Sequence, residues 1–427
     1  MEDTMRFSEM TEIKDYDMCE PFYKEDIKWT SRHNFELEKQ HLDSVIIHDV
    51  TLRDGDQTPG SAFLEDERVR IADALAELKV PRIEAGMPTV SKVVENAMRR
   101  MVARKYPESK IYGFARAMIG DIDVCLDIGC DGIIVEYCVN PIIIKYAYAK
   151  TPQEVMNNLI KSINYAKEKG VEDVAFMGWD WFRTPIEFTR SMIAELYENT
   201  ELDGLVIVDT YGCGTPDAVE EMFRRFKEWF PRLRLEFHGH TDNGCGVANC
   251  LAAMWGGAEV IHTAVNGLGE RCGNIPTEEL AVLMEMHKGI KTGMNLAKLA
   301  PLCNVVSAIS GFPFAPNKPV MGDRPLEMES GVSMDIEYKL NRVKDYRVTN
   351  TYITVSPSVV GRREEVHPVL GKSCGKSSIR LILDKYKVTV SDDELETILA
   401  MVKDEAYVTK GMVSEDMLLE FVEKVQK

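Results

Sequence analysis

GLVIVDTYGCGTPDAVEEMFRRFKEWFPRLRLEFHG, residues 204–239, contains a short β-branched run, an amphipathic stretch and a second short apolar run. The outer runs, 204–210 and 233–239, have the length and composition of buried strands. Between them, the apolar residues of 215–230 recur every three to four positions, as they do in a helix. A strand, a helix and a second strand in this order form the unit from which parallel sheets are built. This stretch therefore predicts an α/β fold.

The same alternation extends in both directions along the chain. Eight runs are predicted as strands: 44–50, 81–87, 110–116, 132–138, 173–179, 204–210, 233–239 and 258–264. The stretches between them, such as 65–79 and 152–170, have helical periodicity. A doubly wound sheet more often stops at five or six strands, whereas eight such units over about 220 residues match a TIM (β/α)8 barrel.

The pattern changes after residue 300. Residues 310–331 are rich in Pro and Gly, and helical patterns follow at 377–387 and 391–406. Residues 1–40 form no clear element and are either a disordered leader or an arm that packs on a partner subunit. We therefore predict three parts: an amino-terminal extension (1–40), a TIM-barrel domain (41–300) and an appended, mainly helical carboxy-terminal region (301–427).

Composition excludes several classes of partner. The chain has 427 residues, and 69 acidic against 51 basic residues give a formal net charge of -18. This charge disfavours nucleic acids and anionic membranes, so we expect small-molecule substrates. The ten cysteines include no CxxC pair, which favours a reducing compartment. No secretion signal or membrane span is recognised, so we expect a cytoplasmic protein.

Two clusters of polar residues follow predicted strands. TLRDGDQTPG (51–60) follows the first strand, and HGHTDNG (238–244) starts at the end of the seventh. Catalytic groups of TIM barrels lie at the carboxyl ends of the strands. In an extended segment His238 and His240 point to the same side, and Asp54 adds a carboxylate. Two imidazoles and one carboxylate bind a divalent metal such as Mg, Mn, Zn or Co, and such a set leaves positions open for substrate oxygens.

An isolated H-x-H pair is more often part of a surface turn than of a metal site. A polar cluster at two strand ends is costly to bury without a cation, and this favours the metal. A glycine-rich turn, NGLGERCGN (266–274), follows the eighth strand. We expect Gly267, Gly269 and Gly273 to expose backbone N–H groups to an anionic ligand, and Asn274 to lie beside the metal.

A family resemblance rests on two long segments, HDVTLRDGDQTPG (48–60) and HGHTDNGCGVANCLAAMWGGAEVIHTAVNGLGERCGNIPTEEL (238–280). They resemble the signatures of the isopropylmalate, homocitrate and citramalate synthases within the DRE-TIM metallolyase superfamily. The likeness continues through RIEAGMPTVS (82–91) and VDTYGCGTPDAV (208–219), and covers roughly residues 44–425. It implies a TIM barrel, a divalent metal that holds a 2-oxo acid, an acyl-CoA whose enolate attacks that acid, and a homodimer.

The resemblance also implies roles for single residues. Arg53 matches the arginine that steadies the enolate or keto oxygen. Tyr352 matches a tyrosine that is presented to the active site, often by the neighbouring subunit. The resemblance also implies metal binding for Asp54, His238 and His240 with Asn274 beside them, and contacts of Gln57 and Thr210 with the 2-oxo acid. We further predict a catalytic role for Gln57, substrate binding by Asp56, Glu84, Trp179 and Arg183, and CoA binding by Gly267, Gly269 and Gly273.

The chain departs from the family pattern at several positions. Where the synthases usually have H-E-S-G-I-H, this chain has MESGVS (328–333), so Met328 and Ser333 replace both histidines. One of those histidines is associated with proton transfer. Trp179 stands where the family commonly offers a substrate-binding glutamate, and Asp56 stands where glutamate is usual. The pattern therefore lacks a general base.

We predict a divalent-metal-dependent, Claisen-type condensation of an acyl-CoA, with acetyl-CoA as the expected donor, and a 2-oxo acid. The products are a 2-hydroxy dicarboxylic or tricarboxylic acid and free CoA. One alternative is a metal-dependent lyase or aldolase that cleaves a related hydroxy acid or its CoA ester, because metal–enolate chemistry serves both directions. The other is a non-catalytic protein that binds an oxo acid. The presence of Arg53 together with the three metal ligands argues against it.

Overall fold

The computed structural model describes residues 30–31, 33–36, 42–343 and 352–427, and it contains a closed barrel of eight parallel strands in chain order. The strands are β1 (Ile46–Asp49), β2 (Arg82–Gly86), β3 (Lys110–Arg116), β4 (Gly132–Cys138), β5 (Asp173–Trp179), β6 (Gly204–Asp209), β7 (Arg234–Gly239) and β8 (Ala258–Thr263). All eight predicted strands are present, and β8 pairs with β1 to close the barrel. The predicted TIM barrel is confirmed.

Helices separate the successive strands of the barrel. The helices up to residue 310, of which α2 to α9 lie between strands, are α1 (His33–Glu36), α2 (Glu65–Glu77), α3 (Lys92–Arg104), α4 (Ile119–Ile128), α5 (Pro141–Tyr146), α6 (Pro152–Glu168), α7 (Ile186–Asn199), α8 (Pro216–Trp229), α9 (Gly246–Trp255), α10 (Thr277–Val282) and α11 (Leu299–Ser310). Within the described ranges, no helix combines the length and the hydropathy needed to cross a membrane.

Helix α6 illustrates how the local sequence defines these elements. Thr151 caps the helix, since its side chain accepts a hydrogen bond from the Glu154 backbone N–H while the Glu154 carboxylate accepts one from the Thr151 N–H. This reciprocal arrangement satisfies two N–H groups that a helix start leaves free. Pro152 follows at the first helical position, where no N–H is required. Leu159 and Ile163, four residues apart, are buried on one face.

Charged residues fill the amino-terminal end of the barrel interior. Arg82 contacts Asp173 at 3.0 Å and Glu236 at 3.3 Å, and Arg234 contacts the same two carboxylates at 2.7 and 2.6 Å. Tyr112 donates a hydrogen bond of 2.7 Å to Asp173. Every buried charge in this network is paired, which avoids the cost of an isolated buried ion. Paired ions thus occupy a layer that branched apolar side chains fill in most TIM barrels.

A second compact unit contains most of the described residues after 323, apart from 357–363, which belong with the barrel. Its elements are β9 (Glu327–Met328), α12 (Gly331–Asn341), β10 (His367–Pro368), α13 (Lys376–Lys385), α14 (Asp392–Thr409) and α15 (Glu415–Val425). Leu370, Ile379, Ile398 and Leu418 are buried in its core. The predicted helices of this region are present. The predicted division of the chain at residues 40 and 300 stays a prediction.

Candidate active site

The three residues predicted as metal ligands meet at the carboxyl-terminal end of the barrel, here called the barrel mouth. Asp54 lies in the turn after β1, His238 lies within β7, and His240 follows that strand directly. Each offers one ligand atom, and these atoms lie within 4.8 Å of one another. All three side chains are buried, and His238 Nε2 lies 3.4 Å from Asp54 Oδ2. The strand spacing therefore brings two imidazoles and one carboxylate to one point.

The protonation states of this triad suit a cation. Burial lowers the pKa of His238, and burial together with the neighbouring His238 lowers the pKa of His240 to about 4. Burial by itself would raise the pKa of Asp54, but the charge of Arg53 and the contact with His238 hold it well below its usual range. At neutral pH the triad presents two neutral imidazoles and an ionised carboxylate, the forms that bind metals.

Unpartnered polar atoms surround the triad. Nδ1 of His238, Nδ1 of His240 and Oδ1 of Asn274 are buried and have no hydrogen-bond partner in the described part of the chain. Asn274 forms an isolated β-bridge with His240, and its Nδ2 donates hydrogen bonds to Asp54 Oδ1 at 2.9 Å and to the Leu268 carbonyl at 2.8 Å. Because buried polar atoms are normally satisfied, this arrangement fits a bound divalent metal.

Arg53 is fixed beside the triad. Its Nη1 lies 2.5 Å from Asp54 Oδ2, and its Nε donates a hydrogen bond to Glu84. Its guanidinium lies over the Phe114 ring at 4.4 Å, and its Nη2 contacts Met177 Sδ at 3.8 Å. Burial would lower its pKa, but Glu84 and Asp54 raise it. Arg53 is therefore a permanent cation next to the metal ligands.

Glu84, predicted to contact substrate, is fully buried and holds Arg53 from within the barrel. Its other carboxylate oxygen lies 3.0 Å from His48 Nε2. The His48 ring stacks on His262 with centroids 4.2 Å apart, and His262 contacts Glu236 at 3.0 Å. Although His48, Glu84 and His262 also form a group with metal-binding atom types, their contacts link the mouth to the charged layer below. The substrate contact of Glu84 stays a prediction.

Two more residues predicted to bind substrate form ion pairs. Asp56 pairs with Arg68 of α2. Arg183 binds Asp180 through two contacts of 2.7 and 2.8 Å, and its guanidinium lies over the Tyr211 ring at 3.6 Å. In each case the pair shapes the loop after a strand. Neither contact tests whether Asp56 or Arg183 binds the substrate, so these roles stay predictions.

Three further predicted residues have simple environments. The Thr210 hydroxyl accepts a hydrogen bond of 2.8 Å from the Asp180 backbone N–H. Gln57 is exposed in the turn after β1. Tyr352 is exposed as well, and its hydroxyl donates a hydrogen bond of 3.3 Å to the Glu327 carbonyl within the second unit. Their roles toward substrate stay predictions.

The glycine-rich loop differs from expectation in one respect. The N–H groups of Gly267 and Gly273 donate to backbone carbonyls, and that of Gly269 donates to the Thr58 hydroxyl at 2.8 Å. The expectation that these N–H groups face an anion is therefore not met. The glycines instead permit close packing, since a Cβ at Gly269 would lie 3.2 Å from Asp54 Oδ1. Binding of CoA by this loop stays a prediction.

Gly273→Ala should disturb the metal site more than an equivalent change elsewhere. Gly273 has a φ of +84°, and an added Cβ would lie 1.8 Å from the Gly267 carbonyl oxygen, so the backbone must move. The neighbouring Asn274 would move with it. We expect a lower free energy of unfolding in denaturant titrations and weaker binding of Mn²⁺ by calorimetry.

Gly244→Ala is the matched control for this change. Gly244 also has a positive φ, +77°, but an added Cβ would meet no heavy atom within 4 Å. Both variants bear the left-handed backbone strain of about 1–2 kcal/mol, and only Gly273→Ala adds the clash. Equal losses of stability and of metal affinity in the two variants would contradict the prediction.

The sequence interpretation missed one carboxylate at the barrel mouth. Glu136 lies near the end of β4 and is in register with Arg116 on β3 and Met177 on β5. Register partners in a parallel sheet share a face, and Met177 contacts Arg53, so Glu136 faces the barrel interior. The available signal was a single charged residue within the strand sequence GIIVEYC.

Trp179 lies beside this carboxylate. It follows Met177 by two residues on β5 and therefore faces the same side. Its side chain lies close enough to Glu136 to act on the carboxylate as a hydrogen-bond donor. Trp181, by contrast, is fully buried and packs edge-on against Phe226 with ring centroids 5.2 Å apart. Only the first of the two tryptophans reaches the interior of the barrel mouth.

The chain is similar to known proteins over most of its length. The HMGL-like family model matches residues 44–306. A homocitrate synthase from Saccharolobus islandicus (strain M.14.25 / Kamchatka #1) is 35% identical over 384 residues, which cover 89% of this chain and 80% of that protein. A homocitrate synthase from Sulfurisphaera tokodaii is 36% identical over 362 residues, which cover 84% of this chain and 76% of that protein.

Solved structures are similar to the barrel. An HMG-CoA lyase from Bacillus subtilis has a TM-score of 0.58 at 20% identity, covering 64% of this chain and 96% of the lyase. An HMG-CoA lyase from Brucella melitensis has a TM-score of 0.55 at 21% identity, covering 63% and 99%. At these identities the likeness supports the shared barrel fold alone.

Proposed function

The chain belongs to the HMGL-like family, and from this premise we propose that it is an acyltransferase that condenses an acyl-CoA with a 2-oxo acid. The expected donor is acetyl-CoA, and the products are a hydroxylated dicarboxylic or tricarboxylic acid and free CoA. The observation that carries the proposal is the triad Asp54, His238 and His240 beside Arg53 at the barrel mouth. The homocitrate synthases that cover most of the chain support the direction of the reaction.

A divalent metal bound by the triad would act as a Lewis acid toward the oxygens of the 2-oxo acid. Asn274 orients Asp54 for this task through its 2.9 Å hydrogen bond. Arg53 supplies a fixed positive charge where negative charge develops on the enolate or keto oxygen. Glu84 and Phe114 hold the Arg53 guanidinium in place. The chain's own residues make these contacts, which position Asp54 and Arg53 for the reaction.

Several details belong to the same proposal. The metal is Mg, Mn, Zn or Co, all of which a set of two imidazoles and one carboxylate accepts with different affinities. The assembly is a homodimer, which the family resemblance supports. The first 2-oxo acid to test is 2-oxoglutarate, because homocitrate contains its carbon skeleton.

The lyase alternative has weaker support. The HMG-CoA lyases that resemble the barrel are about one-fifth identical to this chain, whereas the homocitrate synthases exceed one-third identity over a longer span. Sequence similarity of that extent bears on the reaction, and a likeness of folds does not. Condensation is therefore the favoured direction.

Release of free thiol from acetyl-CoA tests the proposed function. The wild-type chain is assayed with Mg²⁺ or Mn²⁺ across 2-oxoglutarate, pyruvate, oxaloacetate, glyoxylate and 2-oxoisovalerate, with propionyl-CoA as a second donor. We expect release that depends on one of these acids and stops when EDTA removes the metal. If none of the acids supports thiol release while metal is bound, the proposed condensation is overturned. Cleavage of hydroxy acids or their CoA esters would then be measured.

A further inference from the structure

The condensation needs a base that removes an α-proton from the acyl-CoA. The chain has Met328, Ser333 and Trp179 at positions where the family resemblance implies two histidines and a glutamate. A replacement base must reach the barrel mouth and must be free to accept a proton. Carboxylates at the strand ends are the natural group to consider.

Most of these carboxylates already have strong partners. Asp54 belongs to the metal triad, and Glu84 is bonded by Arg53 and His48. Asp56 and Asp180 are ion-paired with Arg68 and Arg183. The oxygens of Asp209 accept hydrogen bonds from the N–H groups of residues 213 and 214. Protonation of any of them would weaken these contacts, because it removes the negative charge.

Glu136 differs from these carboxylates. It makes no ion pair of 4 Å or less with any described cation, and it faces the interior beside Met177, which contacts Arg53. The residue is half-buried rather than fully enclosed. The two charges attract each other: Glu136 raises the pKa of Arg53, and Arg53 lowers the pKa of Glu136. Glu136 thus lies near the cation that stabilises enolate charge, without being neutralised by it.

The surroundings of Glu136 suit proton transfer at neutral pH. Burial raises its pKa to about 6, although Arg53, Trp179 and Arg116 each lower it. The other charged or titratable groups that face it are Asp121 on α4, which also raises its pKa, and Cys138, Tyr137 and Tyr148. A carboxylate with a pKa near the working pH is a more effective general base than one with an ordinary value.

We propose that Glu136 is the general base of the condensation and removes the α-proton of the acyl-CoA. This inference rests on the proposed function. The α C–H bond breaks, and the proton moves to a Glu136 oxygen. The electron pair forms the enolate and then the new C–C bond to the keto carbon of the 2-oxo acid. The keto oxygen becomes an alkoxide and takes the proton back from Glu136. Water then hydrolyses the thioester to a carboxylic acid and free CoA.

The test compares wild type with Glu136→Gln, which keeps the size of the side chain but cannot accept the proton. Thiol release should fall by about 10²–10⁴-fold in kcat, with little change in the KM for either substrate. Exchange of the acetyl-CoA methyl protons in D2O, measured by mass spectrometry with oxalate as an unreactive mimic of the 2-oxo acid, should fall in parallel. A merely structural role would not change proton exchange selectively.

Further variants complete the test. Glu136→Asp keeps a carboxylate and should recover part of the exchange rate. Glu187→Gln removes a carboxylate whose side chain is 77% exposed on α7 and should match wild type. The kcat/KM of wild type should decline below a pH of about 6, and Glu136→Gln should lack this decline. Thermal unfolding and metal content identify any variant that fails to fold.

The outcomes separate the two proposals. If wild type releases thiol and Glu136→Gln does so at the same rate, Glu136 is not the base and the condensing function stands. If wild type releases no thiol with any acid, the condensing function itself is overturned, together with the role of Glu136. Loss of turnover in Glu136→Gln with retained metal, fold and KM, and with slow proton exchange, supports the inference.

Discussion

His240→Ala should abolish metal-dependent turnover while the barrel stays folded. The change removes one of three ligand atoms that lie within 4.8 Å of one another. Loss of a residue that merely orients a ligand typically costs 10–100-fold in affinity or activity, so loss of a ligand should cost about 100-fold or more. The fold should tolerate the change, because the His240 Nδ1 has no hydrogen-bond partner to leave behind among the described residues.

Metal binding is measured by calorimetric titration with Mn²⁺ and by thermal unfolding with and without the ion. A ligand at about 100 times its Kd stabilises the native state by about 2.7 kcal/mol, so Mn²⁺ should raise the Tm of wild type and not that of the variant. His367→Ala, which removes an exposed histidine of the second unit, should behave as wild type. Wild-type metal affinity in His240→Ala would refute the triad.

The fold was predictable because its signals are local. Each strand buried between helices reads as a short apolar run, and 132–138 and 173–179 were predicted with their observed bounds. The amphipathic helices α6 and α8 carry their own periodicity and lie within two residues of their predicted ends. The two histidines of the metal triad were equally predictable, since His238 at the end of β7 and His240 just after it are two residues apart and point to the same side.

The partners of charged side chains were harder to predict from the sequence, because they depend on which distant strands and helices lie side by side in the barrel. His48 and His262 are 214 residues apart in sequence, yet closure of the barrel pairs β1 with β8 and puts these two residues in register. Asp56, predicted to bind substrate, pairs with Arg68 one helix further on. The spacing of residues in the sequence does not show which arginine or lysine a carboxylate will pair with.

The hydrogen bonding of the glycine loop and the position of Glu136 were not predicted from the sequence, for different reasons. A glycine pattern does not say whether an N–H group is free, and here Gly269 donates to Thr58, a residue from the turn after β1. Glu136, by contrast, carried a readable signal as a charge inside an apolar strand. A carboxylate is costly to bury inside an apolar strand. The sequence does not show what stabilises Glu136 there, because its neighbours Met177 and Arg53 come from other parts of the chain.

Arg53 connects the metal triad to the barrel interior through contacts of different geometry. Its Nη1 contacts Asp54, its Nε donates to Glu84, and its planar face lies over Phe114. A lysine ammonium is a point charge without this planar fork, so it cannot reproduce the set of contacts. Arginine is therefore needed for position as well as for charge.

Arg53→Lys should lower kcat by about 10²–10³-fold, the loss typical of removing one donor that stabilises an oxyanion. Metal affinity should stay near that of wild type, because the ligand atoms remain. Arg53→Ala should in addition lower the free energy of unfolding by about 3–5 kcal/mol, since it leaves buried Asp54 and Glu84 without their cation. Steady-state kinetics and denaturant titrations of both variants give these values.

Arg225→Lys is the matched control for loss of a guanidinium, since Arg225 contacts Glu221 at 2.7 Å on the surface of α8. Surface ion pairs contribute little to stability, so this variant should keep wild-type kcat and unfolding free energy. Unchanged kcat in Arg53→Lys would mean that charge alone suffices and that the fork has no catalytic role. A kcat loss equal to that of Arg53→Ala, without the stability loss, would locate the whole contribution of Arg53 in the orientation of its donors toward the oxyanion.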